Sequence, residues 1–138
     1  MRSGKLEVPN GELYFECEGT GKPIIFIHAG FSDRRDWKHQ IDDFKKQFNT
    51  IVYDQRGWGN SSSVTATFSP AEDLKLLMDF LNIQKAALVG HSMGGTIAID
   101  FTLQYPEKVS SLVLLAPGLN GFPWSPEYQV FMKDIWST

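Results

Sequence analysis

Apolar and polar positions alternate near the start of the chain, at residues 5–8 and again at 12–17, the pattern of two strands that each bury one face. Asn10-Gly11 lies between them. Both residues tolerate positive φ, so the pair is predicted to form a hairpin turn. Alternation then gives way to a continuous apolar run, Pro23–Ile27, which reads as a strand buried on both faces. Trp37, Ile41, Phe44 and Phe48 recur at helical spacing, predicting a helix over 36–48 before a second buried strand at 50–53.

A loop rich in glycine and serine runs to about Thr67. Ser69-Pro70-Ala71-Glu72 then carries the marks of a helix start: an N-cap serine, proline at the first helical position and a capping-box glutamate. Leu74, Leu77, Met78 and Leu81 form the apolar stripe of that helix. Residues 86–89 read as the next strand, 94–104 as a helix stopped by Pro106, and 113–115 as a last strand. A hairpin followed by strands alternating with helices predicts the α/β class: a mostly parallel sheet with helices on both faces. Residues 1–118 hold this core, and 119–138 form a looser, aromatic segment with prolines.

Composition narrows the function. With 138 residues the chain is long enough for one domain with a real core. Its net charge of -3 and the lack of a basic patch with interleaved aromatics argue against nucleic acid as a partner. The single cysteine, Cys17, has no partner for an internal disulfide and is read as a small, inert core side chain. No apolar run follows Met1–Lys5 as in a secretory signal, and none approaches the roughly 18 residues of a membrane span. The expected location is therefore the cytoplasm. No metal-ligand cluster is visible, so no cofactor is expected.

Chemistry enters at Leu88-Val89-Gly90-His91-Ser92-Met93-Gly94-Gly95. Here Gly-x-Ser-x-Gly falls between a predicted strand and a predicted helix, the context that separates a nucleophile elbow from chance. On so tight a turn Gly90 and Gly94 leave no room for a Cβ. The helix starting there directs free N–H groups at Ser92, and the Met93 N–H is placed to stabilise an oxyanion. A dinucleotide loop would need glycine at Ser92, and a Walker loop would need lysine before Thr96, where Gly95 stands.

With that stretch read, the chain resembles the α/β-hydrolase superfamily in three motifs. They are His28-Ala29-Gly30-Phe31 with Trp37 after it, Asp54-Gln55-Arg56-Gly57-Trp58-Gly59-Asn60-Ser61, and the elbow itself. The resemblance implies that Ser92 is the nucleophile and that the backbone N–H groups of Met93 and Gly30 form the oxyanion hole, with Phe31 a second candidate donor. His28 is read as bracing the oxyanion loop rather than acting as a base. His91 is read as structural and His39 as a solvated surface residue. Asp54 and Arg56 organise their loop, and Asp54 is not the triad acid.

The resemblance also implies what should follow. In this family an acid and then a histidine come after the serine. Beyond Ser92 the sequence has Asp100, Glu107, Glu127 and Asp134 but no histidine. The expectation is therefore an α/β-hydrolase core truncated after about the sixth strand, with 119–138 as the start of a cap. The expected function is a serine hydrolase of small esters, lactones or related acyl substrates through an acyl-enzyme on Ser92. The alternative is a non-catalytic relative that binds a small ligand or a partner. The 138 residues alone are expected to be inactive. They are also expected to self-associate through the sheet edge at 113–115, unless Phe122, Trp124, Tyr128, Phe131 and Trp136 cover it.

Overall fold

The computed structural model describes residues 1–136, apart from the side chains of Met132, Asp134, Ile135 and Trp136. Ser137, Thr138 and the Asp134 and Trp136 side chains considered above thus lie outside the described residues. Strands β1 (Arg2–Val8) and β2 (Gly11–Glu18) form the hairpin, followed by β3 (Pro23–Ile27), α1 (Lys38–Phe44) and β4 (Asn49–Tyr53). Then come α2 (Pro70–Phe80), β5 (Ala86–His91), α3 (Met93–Gln104), β6 (Val109–Leu115) and α4 (Pro126–Trp136). The six strands make one sheet in the order β1-β2-β4-β3-β5-β6. β1 and β2 run antiparallel, β2 pairs antiparallel with β4, and the remaining neighbours are parallel. The class is α/β, as the alternation of strands and helices requires.

Period-two alternation divides the buried strands between two cores. Ile25, Ile27, Ile51, Tyr53 and Leu88 face α2 and α3, where they meet Leu74, Leu77, Met78, Ile97 and Phe101. Ile24, Phe26 and Val52 face the other way and pack on Trp37 and Ile41 at α1. Side chains such as Ile25, Leu74 and Leu88 are fully buried, each contributing about 1.5–3 kcal/mol. At the outer strand β6 this covering ends, leaving Val113 and Leu115 about half exposed. Cys17 is half-buried against the α2 core, and burial pushes its thiol up.

Two local readings are corrected. Val8 pairs with Gly11, so the hairpin loop is Pro9-Asn10 and only Asn10 has positive φ, at 63°. Proline at the first turn position and positive φ at the second suit a type II turn. Gly11 instead opens β2, where a Cβ would come 2.6 Å from Ser62 Oγ. The helix predicted over 36–48 is also shorter. A 3-10 turn, Arg34–Trp37, leads into α1, and its N-cap Asp33 accepts the Arg35 N–H at 2.9 Å. Past Phe44 the chain turns to enter the sheet, with the Asn49 N–H donating to Lys22 O at 3.1 Å.

The α2 start follows its sequence signal in part. Ser69 Oγ accepts the Glu72 N–H at 3.2 Å. The Glu72 carboxylate, however, accepts the Tyr105 hydroxyl. Among the described residues no helix is long and apolar enough to cross a membrane.

Candidate active site

Ser92 stands between β5 and α3 at φ 53°, ψ −114°, a conformation that few residues other than glycine adopt. Three backbone bonds hold it there. Its N–H donates to Leu115 O at 2.9 Å, and its carbonyl accepts the N–H groups of Thr96 at 3.1 Å and Gly118 at 3.3 Å. The neighbouring glycines make this turn possible. A Cβ at Gly90 would lie 2.5 Å from Gly94 O, and one at Gly94 would lie 2.1 Å from Ile27 O. Helix α3 is thereby seated directly on the end of β3, next to the loop at Gly30.

The Ser92 side chain makes no capping bond to its own helix. Since α3 begins at Met93, the Met93 N–H has no intrahelical acceptor, and the positive end of the helix dipole lies at the serine. Gly30, Phe31, Ser92 and Met93 line one cavity of about 540 Å3, together with Trp124 and Tyr128. The structure thus brings Ser92, Met93 and Gly30 together. Phe31, at φ 59°, is largely exposed and meets Trp58 edge-on at 5.4 Å.

The three histidines lie in different settings. His28 is fully buried. The Gln55 N–H donates to its Nε2 at 3.0 Å, so that nitrogen carries no proton. The proton is therefore on Nδ1, 2.7 Å from Ala29 O, to which it donates. Burial also pushes the His28 pKa below its ordinary value. Held in this way, the ring has no lone pair to offer Ser92. His91 is exposed and lines a separate hollow with Asp36, Trp37, Gln40 and Leu115. His39 is exposed on α1.

Asp54 is fully buried under the serine-rich loop. It accepts the Arg34 N–H and the Asn60 N–H, each at 2.8 Å, and pairs with Arg34 Nη1 at 2.7 Å. Every one of these partners is a loop-shaping group. Arg56 does not line the Ser92 cavity and meets Asp73 of α2 through Nε at 3.1 Å and Nη2 at 2.7 Å. Its Nη1 donates to Pro9 O at 2.7 Å.

Sequence reasoning passed over Asp73 and gave Gln55 no part. Asp73 had a signal: it stands four residues before Leu77, on the apolar stripe of its helix, where a carboxylate needs a buried partner. Gln55 had none, because its partner, His28, lies in the loop after β3. Nor did Trp124 and Tyr128 announce themselves as cavity walls. Of the four acids after Ser92, Asp100 accepts the Asn120 amide, and Glu107 and Glu127 are exposed.

Comparison with known proteins fits this arrangement. A family model described as alpha/beta hydrolase fold matches residues 22–137. The 2-hydroxy-6-oxononadienedioate/2-hydroxy-6-oxononatrienedioate hydrolase of Comamonas testosteroni is 34% identical over 117 residues, covering 79% of this chain and 41% of that protein. A thermophilic esterase from Thermogutta terrifontis superposes with a TM-score of 0.85 at 31% identity, over 98% of this chain and 52% of its own. Est816, an N-acyl homoserine lactone degrading enzyme, gives a TM-score of 0.85 at 29% identity, over 96% of this chain and 53% of its own. The chain thus spans about two fifths of the length of the curated relatives it matches.

Proposed function

From the chain's membership of the α/β-hydrolase family, we propose that it carries the nucleophile of a serine hydrolase acting on small esters, lactones or related acyl compounds. The observation that supports this most is Ser92, held at φ 53° in the cavity that Gly30 and Met93 also line. In this reading Ser92 Oγ attacks the substrate carbonyl and gives up its proton to a base. The N–H groups of Met93 and Gly30 take the charge that develops on the carbonyl oxygen. Collapse expels the alcohol, which takes a proton from the protonated base. Water then hydrolyses the acyl-enzyme by the same steps. Hydrolases of a dienoate, an ester and an acyl lactone among the similar proteins support the reaction class.

None of the three histidines present suits the base. His28 is locked between Gln55 and Ala29, His91 lines another hollow, and His39 lies on α1. We assign the base and its carboxylate to residues outside these 138 positions. The same observation favours a second reading, a non-catalytic relative whose cavity holds a ligand. Fluorophosphonate labelling with peptide mapping on the full-length protein separates the two. Labelling confined to Ser92, with turnover lost in Ser92→Ala, supports the hydrolase. Labelling elsewhere, or none at all, overturns it.

A further inference from the structure

One side chain joins the loop after β3 to the loop after β4. Gln55 follows β4 and is only 5% exposed. It makes two donations to one residue. Its backbone N–H reaches His28 Nε2 at 3.0 Å, and its side-chain amide reaches the His28 carbonyl oxygen. That carbonyl is well inside the protein, beside the point where α3 meets β3 at Gly94. An acceptor buried there without a donor costs free energy, so the amide meets a real need.

The consequence passes along the chain through planar peptides. His28 Nδ1–H donates to Ala29 O at 2.7 Å. The Ala29 carbonyl and the Gly30 N–H belong to the same trans peptide, in which the two point in opposite directions. Fixing the carbonyl therefore fixes the direction of the N–H. Gln55 holds the His28 carbonyl with its side chain and the His28 ring with its backbone. The ring holds the Ala29 carbonyl, and that peptide aims the Gly30 N–H.

We propose that the Gln55 side chain is a positioning group: by holding the His28 carbonyl it keeps the loop after β3 in the geometry in which the His28 ring, locked as the Nδ1–H tautomer by the Gln55 backbone N–H, directs the Gly30 N–H into the Ser92 cavity. This rests on the serine hydrolase reading of that cavity. Gln55 touches neither the reacting atoms nor Ser92. It acts on the transition state alone, because the oxyanion matters only once the carbonyl has been attacked. Hydrophobic bulk of the right size does not replace it, since the His28 carbonyl needs a donor. Glutamate reverses the polarity: it offers that carbonyl a repelling oxygen. It also sets a negative charge where the amide nitrogen now lies, 3.4 Å from Nδ1. The other acids acting on the ring, Asp54, Asp33 and Asp36, already favour its protonation, while burial opposes it.

Two measurements test the proposal. In the wild-type protein, nitrogen-15 NMR of the His28 ring is expected to show the Nδ1–H tautomer. An Nε2–H tautomer would overturn the proposal without any assay of activity. In the full-length enzyme, Gln55→Met is expected to lower kcat about tenfold or more, with KM within about twofold, as for a weakened oxyanion contact. Gln55→Glu is expected to lower kcat further and to raise the His28 ionisation, which NMR titration reads. Unchanged kcat in both variants, with Ser92→Ala inactive, sinks the proposal and leaves the hydrolase reading intact. Full turnover in Ser92→Ala sinks the reading itself.

Discussion

A Cβ built on Gly94 would stand 2.1 Å from the carbonyl oxygen of Ile27, so the first turn of α3 rests directly on the end of β3. That contact sets the distance between the strand carrying the Gly30 loop and the turn carrying Ser92. Even alanine at Gly94 must push the helix away, and valine pushes further. Overpacking of this kind typically costs about 1–3 kcal/mol. Thermal denaturation of Gly94→Val is expected to show a melting temperature several degrees lower. An unchanged melting temperature would show that the helix is not seated as described.

Ser92 itself carries strain. A non-glycine residue in so sparsely populated a conformation costs about 1–3 kcal/mol, and glycine relieves most of it. Ser92→Gly is therefore expected to raise stability by about 1 kcal/mol, while Ser92→Ala leaves it unchanged. Denaturant unfolding of the three proteins compares them directly. A destabilised Ser92→Gly would contradict the strained turn.

Arg56 and Asp73 are 2% and 6% exposed and share two hydrogen bonds. Burial, and after it the charge of Glu72, push the Asp73 carboxyl up, and only Arg56 opposes this. Asp73→Ala strands a buried guanidinium, a change that costs about 3–5 kcal/mol. Asp42→Ala on α1 breaks two exposed pairs, with Lys38 and with Lys45, and is expected to leave the melting temperature unaltered. Equal effects from the two substitutions would refute the distinction.

His28 links stability to pH. Its pKa in the folded protein lies below the ordinary 6.5, because burial disfavours the charged ring. The unfolded chain thus binds a proton first as the pH falls. The contribution of a neutral His28 is fully present above 6.5 and is lost progressively below it, down to the folded pKa. Melting temperatures measured from pH about 7.5 to about 5.5 should fall less steeply in His28→Gln than in wild type. Parallel curves would rule this out.

Tyr53 places a hydroxyl in the α2 core with no hydrogen-bond partner among the described residues, and burial holds that phenol protonated far above its ordinary range. A buried polar group left unpaired costs about 1–3 kcal/mol. Tyr53→Phe is accordingly expected to be neutral or stabilising by about 1 kcal/mol, as read by chemical denaturation. A clear loss of stability would mean that the hydroxyl has a partner after all.

How much of this was legible beforehand depends on where each partner lies. The hydrophobic period determined β1 to β5, α1 to α3, the α/β class and the division of Ile24–Ile27 between two cores, because side-chain direction follows from backbone geometry within a few residues. It missed α4, in the segment read as loose, and the first half of β6. The glycine spacing around Ser92 likewise determined the turn, whose constraint is mainly local. Tertiary structure decided what depends on distant partners. Pairing of Val8 with Gly11 moved the hairpin loop onto Pro9-Asn10. Entry of Asn49 into the sheet shortened α1. Arg56 found Asp73 across 17 residues, and Gln55 found His28 across 27. No local pattern encodes such pairings. A buried donor takes whichever acceptor the packed sheet brings within 3 Å, and that choice exists only once the strands have assembled.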